Sequence, residues 1–95
     1  MAGDVRTVRL RIAGRVQGVG YRHWAERTAL AFGLSGWVRN RRDGTVEAVL
    51  SGANDAVGRM IERCGVGPPA THVASVEVQE EASTPPAGFT VLPTA

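Results

Sequence analysis

Arg22 closes the stretch GRVQGVGYR, Gly14 to Arg22, in which Gly14, Gly18 and Gly20 fall within seven residues. Glycines let successive backbone N–H groups turn to one side as a nest. A helix that starts behind them adds its own free N–H groups and the positive end of its dipole. Such a cradle suits an anion, and a guanidinium on the first helical turn brings a planar, two-pronged donor to the same place. A plain loop followed by a solvent-facing arginine would use the same residues, so the stretch alone leaves both readings open.

What the stretch lacks narrows the chemistry. No Gly-Lys-Ser/Thr follows, which rules out a Walker A loop. Gly18-Val19-Gly20 has His23 where a dinucleotide fingerprint has its third glycine. A phosphatase of the Cys-x5-Arg kind needs a thiol six residues before Arg22, and Val16 stands there. No Ser, Thr, Cys or Asp lies between Gly14 and Arg22. The loop therefore offers no covalent nucleophile. Its chemistry is direct attack by water, or there is binding without turnover.

The elements around the loop follow from hydrophobic period. In VRTVRLRIA, Val8, Leu10 and Ile12 face one way and Arg9 and Arg11 the other, which is a strand with one buried face. From Tyr21 the period becomes helical: Tyr21, Ala25, Ala29 and Phe32 share a face, and Gly33 ends the helix. SGWVRN and TVEAVLSG read as strands joined by the hairpin signal RRDG, with Gly44 supplying positive φ. Ala56, Val57, Met60, Ile61 and Cys64 mark a second amphipathic helix, stopped by GVGPP. HVASVEV is a fourth strand, EEASTPPAG a loop and FTVL a short fifth strand.

That order, βαββαβ with a tail, fits an α+β, ferredoxin-like sandwich: an antiparallel sheet with two helices packed on one face. The right-handed crossover rule makes strands one and two parallel, with strand three between them. The glycine loop and Asn40, the last residue of strand two, then share one sheet edge, two strand spacings or roughly 10 Å apart. A loop leaning across would close that gap. Asn40 alone also reads as a turn starter.

Composition bounds the alternatives. At 95 residues the chain is expected to be one domain, 1–95. All 11 basic residues are arginines, so neither a Schiff-base lysine nor a P-loop lysine is available. These arginines are scattered and the strands lack an RNP-like aromatic pair, which argues against nucleic acid. Cys64 is alone, which fits a reducing cytosol, and it falls on the apolar face of a helix, where core packing outweighs nucleophilic chemistry. Beside it only His23 and His72 could add soft ligands, so a structural zinc site is not expected. No apolar run is long enough to span a bilayer and no charged n-region precedes an apolar h-region, so a soluble, unexported protein is expected.

The residues together resemble the acylphosphatase family. Its phosphate-loop signature is similar to Gly14-Arg15-Val16-Gln17-Gly18-Val19-Gly20-Tyr21-Arg22, and a second family block to GLSGWVRNRRDGTVEAVLSG, Gly33 to Gly52. A third, weaker block resembles GPPATHVASVEV with a terminal GFTV, so the resemblance covers nearly the whole chain. Tyr21 stands where the family more often has phenylalanine, and Gly20 occupies a variable position. The resemblance implies hydrolysis of acyl phosphates to a carboxylate and inorganic phosphate, without cofactor, metal or covalent intermediate. It implies Arg22 as phosphate binder and Asn40 as the residue orienting the attacking water. Backbone N–H groups of Arg15, Val16, Gln17, Gly18, Val19, Gly20 and Tyr21 would complete the cradle. The expected partner is a small acyl phosphate, with inorganic phosphate or sulfate competing, and the protein is expected to be cytoplasmic and monomeric, binding neither nucleic acid nor membrane.

Overall fold

Alternation along the first strand becomes burial: Val8, Leu10 and Ile12 are fully enclosed, while Arg9 and Arg11 form ion pairs on the far side of the sheet. The computed structural model describes residues 4–95. In chain order its elements are β1 (Val5–Arg15), α1 (Tyr21–Ala31), β2 (Ser35–Asn40), β3 (Val46–Ala53), α2 (Asn54–Cys64), β4 (His72–Glu80) and β5 (Phe89–Val91). The five strands form one sheet in the order β4-β1-β3-β2-β5. Both β1 and β2 pair antiparallel with β3, so they run parallel to one another and end at the same edge.

The sheet is antiparallel across four strands, as expected, but β5 joins β2 in parallel. The physical reason is the route of the chain. β4 runs opposite to β1 and β2, so after the 81–88 loop carries the chain to the far edge it must reverse, and that sets it along β2. β1 also runs two residues beyond the expected VRTVRLRIA. A bulge between Ala13 and Gly14 shifts the register, and Gly14 and Arg15 go on pairing with Val73 and His72 of β4.

Helical spacing places the helices over the sheet. Tyr21, Ala25 and Ala29 of α1 and Val57, Met60 and Cys64 of α2 are buried against Val8, Leu10, Ile12, Val38, Val46, Ala48 and Leu50. Burying the large aliphatic chains of the sheet contributes about 1.5–3 kcal/mol each, and Tyr21, Ala25 and Ala29 seat α1 against them. A Schellman arrangement ends α1: Gly33 N–H donates to the Leu30 carbonyl and Leu34 N–H to the Ala29 carbonyl, with Gly33 at φ 71°. The other face of the sheet is polar. There Glu47 accepts from Arg9, from Arg39 at 2.8 Å and from Arg41 at 3.4 Å, and the Arg39 guanidinium lies 4.8 Å from the Trp37 ring centre. Trp37 therefore packs on the side opposite Asn40, because the two are three residues apart on one strand.

Candidate active site

The loop between β1 and α1 is short, residues 16–20. Val16 is buried in the core and anchors it. Gly18 and Gly20 have φ of 74° and 80°, and a Cβ at either would meet nothing within 4 Å. They are glycines for backbone conformation, not for space. Gly14 has a second reason besides its φ of 124°: a Cβ there would collide with the His72 carbonyl, so it allows the close approach of β4. Gly14 and Arg15 thus belong to the strand beneath the loop, and Tyr21 is the first helical residue.

No backbone N–H from Val16 to Gly20 donates to another group among the described residues. The first helical bond runs from Trp24 N–H to the Gly20 carbonyl at 3.1 Å, so the first turn of α1 adds free N–H groups. This end of α1 has neither a side-chain cap nor an acidic residue in its first turn. A run of unpaired donors at the positive end of a helix dipole is what an anion requires.

Arg22 sits on that turn, partly buried, without an ion pair or side-chain hydrogen bond among the described residues. Its situation differs from that of the other arginines. Arg6, Arg9, Arg11, Arg39, Arg41 and Arg59 face carboxylates, and Arg63 lies over Phe32. Arg15, Arg27 and Arg42 have no such partner but are exposed. A half-buried guanidinium with no counter-charge is costly unless an anion completes it.

Asn40 ends β2 on the face that carries Val38, opposite buried Val46 of β3. Its backbone is held from both sides, since its carbonyl also accepts from Ala95 N–H at 3.0 Å. Its side-chain Oδ1 is buried and has no hydrogen-bond partner among the described residues. A buried amide oxygen of this kind accepts a hydrogen bond from a small polar molecule.

The loop does reach across to this strand, through Gln17. The Gln17 Nε2 donates to the Arg41 carbonyl at 2.7 Å and to the Thr45 carbonyl at 2.8 Å, on the turn directly after Asn40. Sequence reading assigned Gln17 only a backbone role. No local signal could have found the rest, because its partners lie 24 and 28 residues away. The turn itself is as expected: Asp43 Oδ1 accepts from Thr45 N–H and Oγ1, and Gly44 has φ 93°. Tyr21 adds a second tie, its hydroxyl donating to the Cys64 carbonyl at 2.8 Å, which joins the start of α1 to the end of α2. Burial pushes the Tyr21 phenol well above its usual range and the Cys64 thiol up to about 11, so neither ionises near neutrality. His23 is exposed.

A groove of about 390 Å³ opens on the polar face, among Arg9, Arg11, Arg41, Asp43 and Glu47. Its arginines are already committed to carboxylates, and it lies across the sheet from Asn40. Among the described residues no group of three or more His, Cys, Asp or Glu side chains is placed to hold a metal ion, and no helix is long and apolar enough to cross a membrane.

Fold and site together define a two-layer α+β protein whose unpaired backbone donors gather where a strand gives way to a helix, at the sheet edge where β2 ends in Asn40. The acylphosphatase family model matches residues 8–91. An acylphosphatase of Azoarcus sp. is 58% identical over 85 residues, covering 90% of this chain and 87% of the relative. Among solved structures, an acylphosphatase from Coxiella burnetii superposes with a TM-score of 0.90 at 30% identity over 94% of each chain. An acylphosphatase from Bacillus subtilis gives 0.87 at 33% identity, covering 94% of this chain and 99% of that one. The chain belongs to the acylphosphatase family of hydrolases.

Proposed function

We propose that the protein hydrolyses the carboxyl–phosphate bond of small acyl phosphates, with Arg22 and the loop backbone holding the phosphate and Asn40 orienting the attacking water. The observation that carries the assignment is Arg22, partly buried and unpaired on the first turn of α1. The proposal extends to a single domain that acts as a monomer in the cytosol, where inorganic phosphate or sulfate competes for the cradle.

The chemistry asks little of the protein beyond placement. A carboxylate is a good leaving group, so no strong acid is needed at the departing oxygen. Charge on the transferring phosphoryl group spreads over its equatorial oxygens, and preorganised N–H donors with a guanidinium stabilise it. The free N–H groups of the 16–20 loop and of the first turn of α1 would serve that task together with the planar fork of Arg22. Asn40 has no useful basicity. Its Oδ1, buried and without a partner among the described residues, accepts a hydrogen bond from a water and turns the lone pair of that water toward phosphorus. As the bond to phosphorus forms, the other proton passes to a phosphate oxygen of the substrate. The P–O bond to the acyl group breaks, leaving a carboxylate and inorganic phosphate.

The test is hydrolysis of benzoyl phosphate by the purified protein and by Asn40→Ala. The parent protein turns over. Asn40→Ala loses on the order of 10²-fold in kcat while phosphate still inhibits it at the parent concentration, because loss of a positioning contact costs rate rather than anion binding. If Asn40 only shaped the turn, melting temperature would fall and turnover would persist within a few-fold.

A further inference from the structure

Gln17 is the loop residue whose side chain is fully committed. A primary amide has two N–H bonds, and both are used, on the Arg41 and Thr45 carbonyls. Each carbonyl has two acceptor sites. The turn itself fills one on each, through Arg41 N–H to the Thr45 carbonyl at 2.8 Å and Gly44 N–H to the Arg41 carbonyl at 3.1 Å. Gln17 fills the remaining one on each. Both N–H bonds of the amide and both acceptor sites of each carbonyl are used, and the matching requires a group with two N–H bonds on one nitrogen.

The junction lies between two parts of the site, the 16–20 loop and the end of β2, that no other hydrogen bond among the described residues joins. β1 and β2 are separated by β3, and the backbone N–H groups of residues 16–20 bond to no other described residue. Val16 seats the loop in the core, but an apolar contact does not set its position along the sheet edge. Arg41 follows Asn40 directly in the chain, so a bond to its carbonyl holds the peptide next to Asn40.

We propose that Gln17 is a positioning residue for hydrolysis: its side-chain amide locks the phosphate loop to the turn that starts at Asn40, and so sets the separation between bound phosphorus and the water on Asn40. This rests on the site reading given under the proposed function. In-line attack needs the reacting atoms about 3–3.5 Å apart, and a misplacement of about 1 Å costs on the order of 10²-fold. Freed of its strap, the loop still binds an anion with its own N–H groups and Arg22, but no longer at a defined distance from the water.

The experiment is a double-mutant cycle on benzoyl phosphate, with phosphate inhibition measured for each protein. Gln17→Met keeps length and removes both donors. In the parent background it lowers kcat roughly 10-fold or more, with phosphate inhibition unchanged within about threefold. In the Asn40→Ala background, where the placed water is already lost, the same change costs less than about threefold. Equal losses in the two backgrounds, or a lowered melting temperature with kcat kept, overturn the strap while leaving the site reading intact. An Asn40→Ala protein at the parent rate overturns both. Gln17→Glu is the second variant, should Gln17→Met fail to fold. Ionised, it offers no donor and sets a carboxylate against two carbonyl oxygens. Protonated, it regains one donor, so its rate relative to the parent rises as pH falls through the range of glutamate ionisation. A flat ratio overturns the proposal.

Discussion

At the scale of single residues, geometry matters more than charge. In the proposed reaction Arg22 meets an anion whose oxygens are spread like the tines of its own planar fork, and its side chain has no competing carboxylate among the described residues. A lysine would keep the charge but present a point donor on a flexible stem. Arg22→Lys is therefore expected to lose nearly as much kcat/KM on benzoyl phosphate as Arg22→Ala, each by roughly 10²-fold or more. Competitive inhibition by phosphate should weaken in parallel. A lysine variant within a few-fold of the parent on both measurements would show that charge alone suffices. This pattern differs from that of Asn40→Ala, which separates binding from turnover.

At the scale of elements, Glu47 of β3 is the tie on the polar face, joining Arg9 of β1, Arg39 of β2 and Arg41 of the following turn. Burial opposes its charge, yet the hydrogen bonds from Arg39 and Arg9 outweigh this and hold the carboxyl below its usual value of 4.5. The sign follows. A carboxyl depressed in the folded state contributes stability that is fully present above its unfolded value and is lost as pH falls through its folded value. Glu47→Gln is thus expected to lower stability at neutral pH by about 1 kcal/mol, or roughly 4–8 °C in Tm, since the cluster is partly open to solvent. The gap between variant and parent should close as pH drops below 4.5. Thermal melts at pH 7 and pH 3 decide it; the same gap at both would mean that packing, not ionisation, carries the effect.

For the whole molecule, the proposed cradle would couple ligand to fold. An anion that binds only the folded protein stabilises it by about 2.7 kcal/mol at a hundredfold excess over Kd. For a domain of this size that raises Tm by roughly 10 °C or more. Phosphate or sulfate titrations followed by melting temperature should show this rise in the parent and lose it in Arg22→Ala. Turnover should also survive exhaustive EDTA treatment, because the described residues gather no cluster of metal ligands and the chemistry is assigned to backbone donors, Arg22 and Asn40. Activity lost on chelation and restored by Mg²⁺ would replace this mechanism with a metal-assisted one.

Local pattern is enough for most of the elements. The alternation of Val8, Leu10 and Ile12, the helical spacing of Tyr21, Ala25 and Ala29, and the turn chemistry of Asp43 and Gly44 depend only on neighbours a few residues away. Crossover handedness then sets β1 parallel to β2, and so the shared edge of the loop and Asn40, from the order of elements alone. Arg22 and Asn40 stand out as candidates because their residue types and block contexts resemble one family. The other features answer to distance along the chain. That Gly14 is strand and not cradle depends on β4, more than fifty residues later. That β5 lies parallel depends on the path around the whole sheet. That Arg22 alone among the partly buried arginines lacks a counter-charge depends on where nine acidic residues end up. Gln17 is the sharpest case: its sequence neighbours make it a loop residue, and only the folding of the turn after β2 against it turns its side chain into a strap.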